Sequence, residues 1–309
     1  MNFRANAVLT NPLAVFILYF ITFCIFAICN QKTNSQVVQR PAVRICEALG
    51  NGFQPNLIPH APEGTAVAPG KYPYMALIGH QKQNENITFP CSGALIDKRF
   101  VLTAAHCIKN GKPVIVRLGI TDLDNFEQSS GMVEKRIKAI HVHPNYSLAS
   151  AYNDIGLVEL ESDVNYSSLV YPVCLFTAAA IPLNNTELYA TRWGVNGQRI
   201  VGAVHVRILP IPLCRDAYGK FANRLIADGI RTTQLCAHAV NPSVYECSSA
   251  SGAMVIVEDA SLNKYRLVGI DSFGPRCRSQ VPDVLTRVSE YLDFIESVVW
   301  ASQGNKDLT

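Results

Sequence analysis

Short apolar runs rich in valine and isoleucine recur along the chain, separated by glycine, proline, asparagine and aspartate. "YMALIG" (74–79), "VIVRLG" (114–119), "IGLVEL" (155–160), "AVHVRIL" (203–209), "AMVIV" (253–257) and "YRLVGIDSF" (265–273) are of this kind. Runs this short, bounded by turn residues, predict β-strands, and their spacing predicts a barrel or sandwich in place of alternating strands and helices. One helical pattern stands out at the end, where Tyr291, Phe294, Ile295, Val298 and Val299 repeat at helical spacing behind Ser289, a predicted cap. Residues 30–60 carry little periodic pattern and are predicted to be an extended leader or linker. There are no internal repeats and no low-complexity tract.

A different pattern opens the chain. "LAVFILYFITFCIFAIC", Leu13 to Cys29, carries no charge and follows a segment containing Arg4. Residues 1–29 therefore read as a secretory signal with small residues, Ala27 and Cys29, near a cleavage point. The length of the run leaves an uncleaved signal anchor as the alternative. Either way the remainder meets the oxidising side of a membrane, and the sequons at Asn86, Asn145, Asn165 and Asn184 agree with a secreted, extracellular glycoprotein.

With 309 residues, 49% hydrophobic and 17% charged, the chain can bury one large core or two small ones. Its net charge of +3 comes from scattered Lys and Arg. Without a basic run, neither a nucleic-acid groove nor an anionic membrane surface is indicated as a partner. Of ten cysteines, Cys24 and Cys29 fall in the leader, leaving Cys46, Cys91, Cys107, Cys174, Cys214, Cys236, Cys247 and Cys277. An even number outside the leader, with no CxxC pair, predicts four disulfides and no zinc or thioredoxin-like site.

Three residues then carry chemistry. "VLTAAHC" places His106 at the end of one apolar run, "NDIGLVEL" places Asp154 at the head of another, and Ser251 sits among small residues in "YECSSASGAMVIV". Each alone has an ordinary structural explanation, as a core histidine, a strand cap or a turn serine. Together they supply a base, an orienting carboxylate and a nucleophile, the set that acyl transfer requires.

With these motifs, residues 61–300 resemble the trypsin-like serine protease family. "PGKYPYMALI", "CSGALIDKRFVLTAAHC", "RWGV" (192–195), "LVGIDSFG" (267–274) and "PDVLTRVSEYLDFI" (282–295) carry the resemblance. It implies an all-β fold of two six-stranded antiparallel β-barrels with a C-terminal α-helix, and the triad in the cleft between them. Residues 301–309 would form a short tail. The resemblance also implies the pairings Cys91–Cys107, Cys214–Cys236 and Cys247–Cys277, with Cys46–Cys174 tethering a propeptide-like segment.

The chain departs from the family where activation and the oxyanion hole are built. The family pattern C-x-G-D-S-G-G-P reads here Cys247, Ser248, Ser249, Ala250, Ser251, Gly252, Ala253, Met254. Ala250 stands where an aspartate would receive a newly freed N-terminal ammonium. In "HAPEGT" His60 replaces the basic residue after which the family is cut. Ser249 stands where a glycine N–H would join that of Ser251 as an oxyanion donor. In the specificity pocket, Tyr245 takes the floor position and Asp283 a wall position, beside Ser272 and Gly274. Tyr245 and Asp283 both add volume and predict a filled slot; the alternative is that Asp283 supplies a negative charge for Arg or Lys. His141 and His143 resemble a metal pair, but the family has a surface loop there, and Ile120 stands where the family's calcium loop begins with an acid. No metal or cofactor is indicated. Trp193 and Phe273 are predicted core and cleft aromatics. Two functions stay open: a non-catalytic homologue binding an extracellular protein partner or a protease of a cascade, and a working serine endopeptidase with atypical activation.

Overall fold

The computed structural model describes residues 39–49, 67–83, 85–109, 111–124, 131–181, 187–195, 198–219, 224–241, 251–259, 264–274 and 281–301. Contacts divide the chain at Arg40, and the architecture below belongs to the unit from Arg40 onward. The apolar leader Leu13–Cys29 lies outside the described residues, among which no helix is long and apolar enough to cross a membrane.

Six antiparallel strands close the first barrel in the order β1-β2-β3-β6-β5-β4. They are β1 (Met75–His80), β2 (Thr88–Asp97), β3 (Phe100–Thr103), β4 (Pro113–Leu118), β5 (Val133–Val142) and β6 (Gly156–Leu160). Leu77, Leu95, Leu102, Leu118 and Leu157 fill it and are wholly buried. On β5, Glu134, Arg136 and Lys138 point to solvent and reach the neighbouring strands as ion pairs: Arg117–Glu134 and Arg136–Glu161 at 2.7 Å, and Lys138–Glu159 at 2.6 Å. Such exposed pairs favour the register but add little stability each.

The second barrel comprises β8 (Leu188–Val195), β9 (Gln198–Leu209), β10 (Gln234–Ala239), β11 (Met254–Asp259), β12 (Lys264–Phe273) and β13 (Asp283–Arg287), closed by pairing of β11 with β12. Short β7 (Cys174–Leu175) lies parallel to β12 at its edge. Val206, Val255, Val257, Val268 and Leu285 pack inside. Outward-facing Trp193, Met254, Ile256 and Ile270 join the core of the first barrel, and the same apolar cluster continues to Leu292 and Ile295. This continuous interface fixes one barrel against the other and so fixes any site shared between them.

Two sequence expectations are corrected. The final helix, α3 (Leu292–Val299), has Tyr291 and not Ser289 at its N-cap position. Ser289 belongs to a preceding 3-10 turn, Val288–Glu290, where its hydroxyl accepts a hydrogen bond from Arg287 Nε. The tight turn uses the residues that a cap would need. The second correction falls in the predicted linker, where Pro41–Leu49 form a helix, α1. Proline opens it at the position where a missing N–H costs nothing, and Ala42 and Cys46, one turn apart, form its buried face. Glu296 accepts the Ala42 N–H at 3.2 Å and receives the Arg40 guanidinium, which also contacts Asp293. At the other end Lys264 Nζ donates to Cys46 O at 2.8 Å and Tyr171 Oη to Leu49 O at 2.6 Å. These partners satisfy terminal groups that a short helix cannot satisfy itself.

Disulfides join Cys46–Cys174, Cys91–Cys107 and Cys214–Cys236; Cys247 and Cys277 lie outside the described residues. Because the first of these anchors α1 to β7, we expect α1 to stay on the body after any cut between residues 50 and 60. A nicked sample should run as one species on a non-reducing gel and lose its N-terminal piece only with reductant. Release without reductant would contradict the tether.

Candidate active site

His106 lies in α2 (Ala105–Lys109), a single turn closing β3, with Cys107 bonded to β2 beside it. Asp154 precedes β6, after Asn153, which adopts φ +56° and has its Oδ1 held by the Tyr291 hydroxyl at 3.1 Å. Ser251 comes from the other barrel, ahead of β11, yet forms a parallel bridge to Cys91 on β2. Gly252 follows at φ +82°, and a Cβ there would press within 3.0 Å of Ser92 O, so the turn after the serine requires glycine.

The three functional groups form a chain. Asp154, 3% exposed, accepts the His106 backbone N–H at 2.9 Å on one oxygen. Its other oxygen meets His106 Nδ1 at 2.8 Å and the Ser272 hydroxyl at 2.5 Å. Thr286 Oγ1 donates to Asp154 O at 2.8 Å, so in the second barrel β12 holds the carboxylate, and β13 the backbone carbonyl, of a residue that belongs to the first. With the carboxylate ionised, Nδ1 carries the imidazole proton and Nε2 accepts from Ser251 Oγ, 2.7 Å away. Burial pulls the His106 pKa down, but the bond and charge of Asp154, with Asp271 behind it, outweigh burial and raise it above the ordinary imidazole range. This arrangement can pass a proton from the hydroxyl to the imidazole.

The backbone of Ser251 is engaged differently. Its N–H donates to Pro90 O at 2.8 Å, and its carbonyl accepts the Ser92 N–H at 2.8 Å. An oxyanion donor must point its hydrogen at the charge developing on the substrate. The N–H of Ser251 points into strand β2.

A family model described as Trypsin matches residues 61–295. The chain belongs to the trypsin family. Among trypsin-family relatives, serine protease Hayan of Drosophila melanogaster is 35% identical over 282 residues, covering 88% of this chain and 44% of that protein. Clotting factor G beta subunit of Tachypleus tridentatus is 30% identical over 297 residues, 92% of this chain and 93% of that protein. Serine protease snk of Drosophila melanogaster is 32% identical over 255 residues, 77% of this chain and 56% of that protein. The chain thus spans about half the length of two of the three.

Of the other sequence candidates, Ser249, Ala250 and Tyr245 lie outside the described residues. Asp283 opens β13 with its carboxylate laid against Gly274, where an added Cβ would collide with Oδ1. His141 and His143 diverge: His141 Nε2 meets Glu159 at 3.3 Å, while His143 packs edge-on against Tyr291 and Phe294. Ile120 is buried. Among the described residues, Cys91, His106 and Cys107 group as ligand types, but both sulfurs are in a disulfide and both ring nitrogens are engaged. Asn86, Asn145 and Asn165 are exposed; Asn184 lies outside the described residues.

Sequence reasoning passed over Pro90, Arg192 and Asp271. Asp271 had a signal, a charge inside the apolar run "LVGIDSF". Burial first, then repulsion from Asp283, pushes its pKa up to about 7 against the opposing pull of Arg192 and His106.

Proposed function

We propose that this chain is a secreted, glycosylated trypsin-family protein that binds a protein of an extracellular proteolytic cascade and does not cleave it. The observation that carries this reading is the Ser251 N–H bonded to Pro90 O. Losing one oxyanion donor costs about 100- to 1,000-fold in rate. The sequence adds Ala250, with no carboxylate to receive an ammonium, and "HAPEGT", with no basic residue to cut after. The relative named as a clotting factor subunit supports the cascade setting. Protein recognition would fall to the rigid two-barrel surface and its loops, with Asp283 crowding the slot beside Gly274.

A second reading, a serine endopeptidase with atypical activation, is favoured by the Ser251–His106–Asp154 distances of 2.7 and 2.8 Å. A fluorophosphonate probe separates the two. The secreted protein, intact or nicked in its linker, is expected to remain unlabelled under conditions that saturate an active trypsin-family enzyme. Ala250→Asp alone is expected not to restore labelling, since no ammonium arrives to pair with it. Strong labelling of the wild type that Ser251→Ala abolishes would establish the endopeptidase instead.

A further inference from the structure

Closure of the first barrel decides which loops meet at the triad. β1 ends at His80 opposite Thr88 of β2, β3 ends at Thr103 opposite Gly156 of β6, and β5 ends at Val142 opposite the same glycine. The β1–β2 hairpin, α2 with His106, and the β5–β6 connection therefore leave the barrel at one rim. β3 lies between β2 and β6 in the barrel order, so His106 emerges with the hairpin on one side of it and the β5–β6 connection on the other. Each flanking loop carries a sequon, Asn86-Ile87-Thr88 at the hairpin and Asn145-Tyr146-Ser147 in the connection, and both asparagines are exposed.

Both sequons are fastened to the groups that hold the triad. Pro90, whose carbonyl receives the Ser251 N–H, follows Asn86 by four positions, at most about 13 Å of chain. On the other side Asn153, the neighbour of Asp154, donates from Nδ2 to Asn145 O at 3.1 Å. Lys109, at the end of α2, donates from Nζ to Tyr146 O at 3.3 Å and lies over the Tyr146 ring. Burial, then the Asp154 charge, pushes the Tyr146 phenol up to about 12, which places that ring in the field of the triad carboxylate. A third sequon gives the contrast. Asn165 follows the end of β6 at the opposite rim, where the Val164 N–H donates to Lys98 O of the β2–β3 turn at 2.9 Å.

We propose that Asn86 and Asn145 carry N-linked oligosaccharides that fence the triad from both sides, so that the cleft admits small molecules and excludes folded proteins. This fence rests on the secreted, glycosylated reading above, and it moves any protein partner away from this rim. In each modification the asparagine Nδ2 bonds to C1 of the first sugar of a lipid-linked oligosaccharyl diphosphate. The C1–O bond breaks, the lipid diphosphate leaves, and one amide proton passes to solvent. The products are two bulky, hydrated chains on anchored backbone. A sugar on Asn165 stands away from the cleft.

Access is tested in the full secreted chain carrying Ser251→Cys, in which the exposed nucleophile becomes a thiol that can be labelled whether or not the site turns over. The probes are N-ethylmaleimide and a maleimide borne by a dendrimer of protein size, and the ratio of their rates cancels any effect of His106 on the thiol. Glycopeptide mass spectrometry should find Asn86 and Asn145 occupied. Asn86→Gln with Asn145→Gln should raise the dendrimer rate at least about tenfold, equivalent to about 1.4 kcal/mol of barrier, and leave the N-ethylmaleimide rate unchanged. Asn165→Gln should change neither. If the double variant is not secreted, enzymatic removal of the sugars from the folded chain makes the same comparison. An unchanged dendrimer rate, or a gain that Asn165→Gln reproduces, would overturn the fence and leave secretion and glycosylation standing. Empty sequons at Asn86 and Asn145 in a secreted chain would overturn it outright, and a chain retained inside the cell would remove the secreted reading with it.

Discussion

Replacing Asp154 with alanine is expected to cost about 3–5 kcal/mol of stability and to cost more at pH 5.5 than at pH 8.5. The carboxylate is almost fully buried and accepts three donors: the His106 backbone N–H, the His106 ring N–H and the Ser272 hydroxyl. Truncation leaves those donors facing a cavity, and a buried donor without a partner bears the full cost of its lost hydration. The pH dependence follows from His106. Burial alone would lower its pKa, and it is Asp154, with Asp271, that raises it. A histidine with a raised folded-state pKa contributes stability that is fully present below about pH 6.5 and is lost as pH rises through the folded value. That contribution disappears in the variant, so the gap from wild type is widest in acid. Urea unfolding at the two pH values measures it, and an equal loss at both would refute the linkage.

Removing the Cys91–Cys107 disulfide by a double serine substitution is expected to cost about 3 kcal/mol, as the bond closes a loop of 16 residues. The effect should be concentrated at the site. Cys91 sits between Pro90 and Ser92, which hold Ser251 by its N–H and carbonyl, and Cys107 follows His106. The bond thus clamps the strand that grips the nucleophile to the turn that carries the base. Amide exchange at Ser251 and Ser92 should speed up by about two orders of magnitude, since each factor of ten corresponds to about 1.4 kcal/mol. Equal loss of protection along β1 and β5 would show that the bond serves the whole barrel, and the local clamp would fail as an explanation.

What the sequence made legible depended on how local its signals were. Strand runs announce themselves by composition and punctuation, and the triad motifs sit at the ends of those runs. The barrels and the candidate residues could therefore be read from short windows. Helix α1 could not, because its partners, Glu296, Lys264 and Tyr171, lie 122 to 254 positions away, and isolated nine-residue segments are poor helices. The grip of Pro90 on Ser251 is backbone pairing between two barrels, which no side-chain pattern encodes. The final helix was visible by its period, but its first residue was not, because a tight turn and a cap serine look alike in sequence.

The two ends of α1 and its middle are secured by chemistry of different kinds. Arg40 with Asp293 and Glu296 is an ionic clasp open to solvent on the Asp293 side, which concentrated salt weakens by shrinking the screening length to about 3 Å at 1 M. Cys46 with Cys174 is covalent, indifferent to salt, and opened only by thiols. Salt alone should therefore fray the first turn while the helix stays docked. Reductant alone should leave the helix held by charge and by the hydrogen bonds to Cys46 O and Leu49 O. Under native conditions, complete detachment of a severed leader would therefore require both reagents at once, because neither opens the contact that the other leaves in place.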